Sequence, residues 1–219
     1  NSTGDDISTE ILQNSQNEVY TTSEASFTNL TDEIGSGGAV LDLNQDYTFN
    51  NETDNNTGIL ISKDNFILNG NGHTIDGKNQ SIIFNITGNN ITLNNLILIN
   101  ANADKGGAIY ANAALTLNNV TFIDNYAKTE GGAIGLYGNA TLNCDNSHFI
   151  DNYAEAGSSI FVKKGVVNLY NSDMTSQVFN KYSQIAALVN STIYIENSTF
   201  TNLTSAYSPA LYARTSKNR

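Results

Sequence analysis

Five large apolar residues, Leu98, Phe122, Phe149, Met174 and Phe200, recur along the chain at steps of 24, 27, 25 and 26. An asparagine stands three residues before each of them: Asn95, Asn119, Asn146, Asn171 and Asn197. A repeat of packed helices does not tolerate such drift, because each added residue swings a helix's apolar face by about 100°. Strands joined by loops absorb it. A period of this length therefore points to stacked coils rather than to one globular layer.

The text between these landmarks supports that reading. Short apolar patches come in threes: GILI, NFILNG and HTID, then IIF, NITLNN and LILIN, then AIY, LTLN and VTFIDN. Six such units run from Gly58 to Leu203. No patch is long enough to be stable alone, but stacked in parallel they make an all-β fold, a right-handed parallel β-helix with three strands per coil. GGAI occurs at Gly106–Ile109 and again at Gly131–Ile134 because adjacent coils make the same bend in the same place. The glycines allow the close approach, and the following Ala and Ile turn inward. The expected core columns are Ile109 with Ile134, Leu117 with Leu142, and Phe122 with Phe149. The asparagine column reads as an inward or turn-lining ladder, each amide donating to the next across a spacing of roughly 4.8 Å.

A solenoid is weakest at its ends. In SFTNLTDEIGSGG the residues Phe27, Leu30 and Ile34 share one helix face, with Ser26 as cap and Gly35 as stop. A short helix is expected there, covering the first coil's open edge. The domain then spans 26–219, after a polar leader or tail at 1–25 in which ISTEIL is the candidate for a further strand or helical turn. At the other end PALYA is followed at once by RTSKNR, so the last coil near Leu211 is expected to be uncapped. A longer parent protein and end-to-end contact at that coil are the corresponding expectations.

Charge narrows the partners. The formal net charge is -11 with only 10 Lys plus Arg, which disfavours nucleic acid and anionic membrane surfaces. No apolar run reaches the roughly 18 residues of a membrane-spanning helix, so no membrane insertion is expected of this segment. The single cysteine, Cys144, excludes an internal disulfide.

Catalysis has one candidate pair, Asp124 and Asp151, at equivalent places in adjacent coils and so about 5 Å apart, the separation of a retaining glycosidase. Repetition alone produces that distance. A glycosidase also needs two carboxyls in unlike surroundings, and Lys105, Lys128 and Lys163, which a lyase would want as a base, do not share a column. His73 and His148 lack partners at zinc spacing, and no calcium loop accompanies the aspartates. No catalytic residue, metal or cofactor is expected. Tyr126 and Tyr153 do share a column beside the aspartates, so Asp124, Tyr126, Asp151 and Tyr153 are the candidate ligand-binding residues. Asn-x-Ser/Thr sequons are frequent, and the loop sites Asn51, Asn55 and Asn79 are the glycosylation candidates. Asn119 and Asn197 are set aside as members of the ladder.

The pair GGAI and FIDN matches the GGA[ILV] and FxxN motifs of chlamydial polymorphic outer membrane proteins. With GNGHTIDG and the leading FTNLTDEI, the chain from about residue 26 resembles the adhesin-like surface proteins of methanogenic archaea. That resemblance implies a secreted, cell-surface solenoid that binds a glycan or protein of a partner cell and does not catalyse. GSSI at Gly157–Ile160 and MTSQ at Met174–Gln177 depart from the motifs, so one ligand site repeated on every coil is not expected. The alternative is a β-helical polysaccharide lyase or glycoside hydrolase, which requires a long cleft walled by loops from several coils. Loops of about 3 to 9 residues suit a plain rod better.

Overall fold

Each apolar patch leaves its backbone N–H and C=O groups unpaired until the same patch of the next coil lies beside it. In the computed structural model, which describes residues 25–177, 183–205 and 208–214, that pairing is parallel throughout. The result is an all-β parallel solenoid. A seven-stranded sheet, from Ile59–Ile61 to Leu211–Arg214, forms the first face. A thirteen-stranded sheet supplies the second and third faces. Six units are legible in the text; Leu211–Arg214, paired with Ile185–Leu188, makes the seventh strand of the first face.

The corner between the second and third faces is the asparagine position. Asn95 and Asn119 sit in the middle of the nine-residue strands Ile91–Ile99 and Leu115–Ile123, with φ of 50° and 54°. A left-handed residue there folds the strand, and asparagine adopts that conformation readily. The column does not point inward: Asn95, Asn119, Asn146, Asn171 and Asn197 are all exposed. Asn119 Nδ2 donates to Asn95 Oδ1 at 2.9 Å and Asn146 Nδ2 to Asn119 Oδ1 at 3.2 Å. The next member leaves the ladder, with Asn171 Nδ2 donating to Asp145 Oδ1 at 2.7 Å.

Inside, like residues stack on like. Ile109 pairs with Ile134, and Phe122 with Phe149, whose rings stack at 4.8 Å and 6°. Leu117 and Leu142 do not share a column. Leu117 pairs with Cys144, and Leu142 with Leu115. The two TLN stretches look equivalent in the text, but register is set by the corners at Asn119 and Asn146, which lie two residues further apart than the TLN stretches do. A slip of two residues preserves which side chains face inward, so both leucines remain buried. Cys144 is buried as well, and that burial pushes its thiol up to about 12.

The helix Phe27–Ser36 closes the first coil, burying Phe27, Leu30 and Ile34. Ser26 is its cap, and Asn29 Oδ1 accepts the Ser26 N–H at 2.8 Å. The helix runs past Gly35 and ends at Gly37. Gly37 leaves the helical conformation, with φ of -77° and ψ of 174°, and its N–H caps the Glu33 carbonyl at 2.9 Å; a Cβ there would lie 2.8 Å from that oxygen, so glycine suits the cap. Opposite charges hold the two ends, as the helix dipole requires. Asp54 accepts the N–H groups of Phe27 and Thr28 at 3.0 and 2.9 Å. Lys63 Nζ donates to the carbonyls of Ile34 and Gly37 at 2.9 and 2.8 Å. Ala25 belongs to the solenoid, since Ala25–Ser26 pairs with Tyr47–Thr48; the rest of the expected leader, with ISTEIL, lies outside the described residues.

Partial burial works to raise the Asp54 carboxyl, but hydrogen bonds from Asn50, Thr28 and Phe27 together outweigh it and hold the group below its ordinary 3.8. A depressed carboxyl stabilises the fold above its unfolded value and loses that contribution as pH falls through its folded value. The helix is therefore expected to loosen below pH 3.8, read as loss of hydrogen-exchange protection at Phe27 and Thr28. The same acid response in Asp54→Asn would disprove the assignment.

Candidate ligand site on the third corner

Leaving the third face, the chain turns at Asn100, Asp124 and Asp151, all left-handed with φ of 51°, 53° and 52°. The two aspartates are thus turn residues first, short enough to tolerate that backbone. The residue after each aspartate goes inward. Asn125 and Asn152 are each only 1% exposed.

These two amides form the inner ladder of the corner. Asn125 Oδ1 accepts the Ala101 N–H at 3.0 Å, while its Nδ2 donates to the Leu98 carbonyl at 3.0 Å and to Asn152 Oδ1 at 2.9 Å. Asn152 Oδ1 also accepts the Asn125 N–H at 3.1 Å, and Asn152 Nδ2 donates to the Phe122 carbonyl at 3.1 Å. Backbone groups that the turn would otherwise orphan are satisfied by side chains. The sequence pointed to the outer, turn-lining ladder of Asn95, Asn119 and Asn146 and not to this inner one, whose signal was the last letter of FxxN. A second column, buried at Ser147 and Ser172 and half-buried at Ser198, was also missed. Ser147 Oγ accepts the Val120 N–H at 3.1 Å, Ser172 Oγ the Ser147 N–H at 3.0 Å, and Ser198 Oγ the Ser172 N–H at 3.1 Å. Its signal was the recurring Asn-Ser at the other corner.

Outside this frame the four expected ligand residues come together. Tyr126 and Tyr153 pair across a parallel bridge, their rings stacked at 5.6 Å and 4°. Tyr126 is 39% exposed. Asp124, also exposed, is held above its ordinary value by partial burial and then by the charge of Asp151. Asp151 Oδ1 accepts the Gln177 N–H at 2.6 Å. Aromatic rings beside carboxylate acceptors suit a polyhydroxylated ligand, whose C–H faces meet rings and whose hydroxyls donate to oxygen.

The corner is not the plain rod expected from loop length. Asn102–Lys105 and Tyr126–Glu130 form a separate two-stranded parallel sheet, continued by a bridge from Glu130 to Ala156. Loops of three coils thus make a flange. Beside it lies a hollow of about 480 Å³, lined by Thr129, Glu130, Glu155, Ala156, Ser183 and Tyr212 among others. Glu130 is already engaged: Lys105 Nζ is 2.8 Å from its Oε2, and the Tyr137 hydroxyl donates to the same oxygen at 2.9 Å. Lys128 is exposed on the flange, and Lys163 ends the first-face strand Ile160–Lys163.

His73 meets Asp46 at 3.0 Å, and His148 hydrogen-bonds Asp173 through Nδ1. Among the described residues no three His, Cys, Asp or Glu side chains gather to hold a metal ion. No described helix is long and apolar enough to cross a membrane. Asn51, Asn55 and Asn79 are exposed, and Asn55 Oδ1 accepts both the N–H and the hydroxyl of Thr57. Asn119 and Asn197, set aside as buried, are exposed too.

Fold and corner together define a parallel β-solenoid with an aromatic and acidic edge. No protein family, curated protein or solved structure matches the chain.

Proposed function

We propose that this solenoid is a non-catalytic, cell-surface binding module of the adhesin-like type, holding its third corner out to a glycan or protein of a partner cell. One observation carries the proposal. Tyr126 and Tyr153 stack in register beside Asp124 and Asp151 on an outward turn whose inner side is locked by buried amides. A rigid floor with exposed rings spends little entropy on binding. The GGAI and FIDN motifs support the surface setting, and the net charge of -11 favours neutral or cationic partners over anionic ones.

The test is binding of the chain to a glycan array and to intact cells, with product analysis on every glycan retained. Replacing both tyrosines, Tyr126→Ala with Tyr153→Ala, is expected to weaken retention about tenfold without changing thermal stability appreciably. Unaltered retention by the double variant would remove the corner from the proposal. The hollow beside the flange favours a second reading, a glycan-cleaving enzyme using Glu130 and Glu155. Turnover that is lost in Glu130→Gln would establish it in place of the first.

A further inference from the structure

The sequons of this chain differ in whether the fold already uses their amides. Asn90 Nδ2 donates to Asn65 Oδ1 at 2.8 Å. Asn119 donates to Asn95 and accepts from Asn146, and Asn197 Nδ2 donates to Asn171 Oδ1 at 3.4 Å. In each case another amide stands one strand spacing away, about 4.8 Å. A sugar ring on Nδ2 would have to displace that neighbour.

Asn139 and Asn190 are unlike these. Both are exposed, with φ of 64° and 53°, in the turn that carries the chain from the first face to the second. Among the described residues neither side chain has a hydrogen-bond partner. Thr141, Val166 and Thr192 are in register across three coils. Two residues upstream of these stand Asn139, Lys164 and Asn190, so the two asparagines share a column with Lys164 between them. Two strand spacings, about 10 Å, then separate them, and both can carry a sugar without collision. The hydroxyl residues of the two sequons, Thr141 and Thr192, lie on the outward side of their strands.

We infer that Asn139 and Asn190 are N-glycan acceptors, so that glycans run along the corner between the first and second faces. The donor is an oligosaccharide carried on a polyprenyl phosphate or pyrophosphate, used by a transferase of the secreting cell. The asparagine Nδ2 forms a bond to the anomeric carbon, whose bond to the phosphate oxygen breaks. That oxygen leaves with the electron pair, and one amide proton passes to a base of the transferase. On the third corner Asn100, Asp124 and Asp151 begin no sequon, whereas Asn79, beside Asn100, and Asn202, in the column of Asp151, do. The two coils that carry Tyr126 and Tyr153 have no sequon at this corner.

The inference shares only the extracellular setting with the proposed function, and its test reads mass rather than binding. The chain is secreted from a host that glycosylates Asn-x-Thr, and site occupancy is measured by glycopeptide mass spectrometry. Asn139 and Asn190 are expected to be occupied in most molecules, with Asn90 and Asn119 nearly empty. Asn139→Gln and Asn190→Gln should each remove one glycan mass. Empty sites at Asn139 and Asn190, or equal occupancy at Asn90 and Asn119, would overturn the inference. Because occupancy is read on the unaltered chain, a variant that folds poorly leaves the outcome intact.

Discussion

Gly132→Ala is expected to cost about 3 kcal/mol or more, enough to unfold the middle coils near room temperature. A Cβ at this position would lie 2.1 Å from the Ser158 carbonyl oxygen and 2.5 Å from that of Tyr153. Both are backbone atoms of the next coil. Neither can step aside without opening the ladder, because Gly132 N–H itself donates to the Gly157 carbonyl there at 3.2 Å. Gly38→Ala is the control. Its Cβ would meet nothing within 4 Å, and a change within about 0.5 kcal/mol is expected. Urea titration followed by circular dichroism compares the two, and equal midpoints would refute the account of the GGAI bend.

The second large effect is expected at Asn125. Asn125→Leu keeps the volume roughly constant but removes the acceptor of the Ala101 N–H and the donor to the Leu98 carbonyl. Buried groups left without partners cost about 1 to 3 kcal/mol each, so a loss of about 3 kcal/mol is expected. Because a solenoid can open coil by coil, the sharper measurement is hydrogen exchange at the Ala101 amide. That amide should lose protection while the helix Phe27–Ser36, several coils away, keeps its own. Unchanged protection at Ala101 would mean that the inner ladder does not hold the corner.

The same two asparagine columns mark the limit of what could be read from the text. Asn119 stands three residues before Phe122 and Asn125 three after it, so a strict alternation of faces treats them alike. The backbone separates them. Asn119 is itself left-handed and turns out, whereas left-handed Asp124 resets the alternation and sends Asn125 in. Such a conformation has no dependable mark in composition. The pairing of Asp124 with Asp151 and of Tyr126 with Tyr153 was legible because both recur at the spacing that fixes the corner. The flange was not: NADK and YAKTE carry no clear apolar alternation, and their pairing depends on neighbouring coils already being in place. The helix was legible from Phe27, Leu30 and Ile34, but Gly35 and Gly37 read alike as its stop, and only the backbone shows Gly35 helical and Gly37 extended.

The clamp of Asp54 and Lys63 on the two ends of the helix has a consequence for how the chain reaches its native state. A sealed first coil presents finished backbone on one side only, so every later coil has a single template to crystallise upon. Assembly in the order of synthesis would then let each turn copy the register of the one before. A defect introduced early would be inherited by everything laid down after it, while one introduced late would spoil little more than itself.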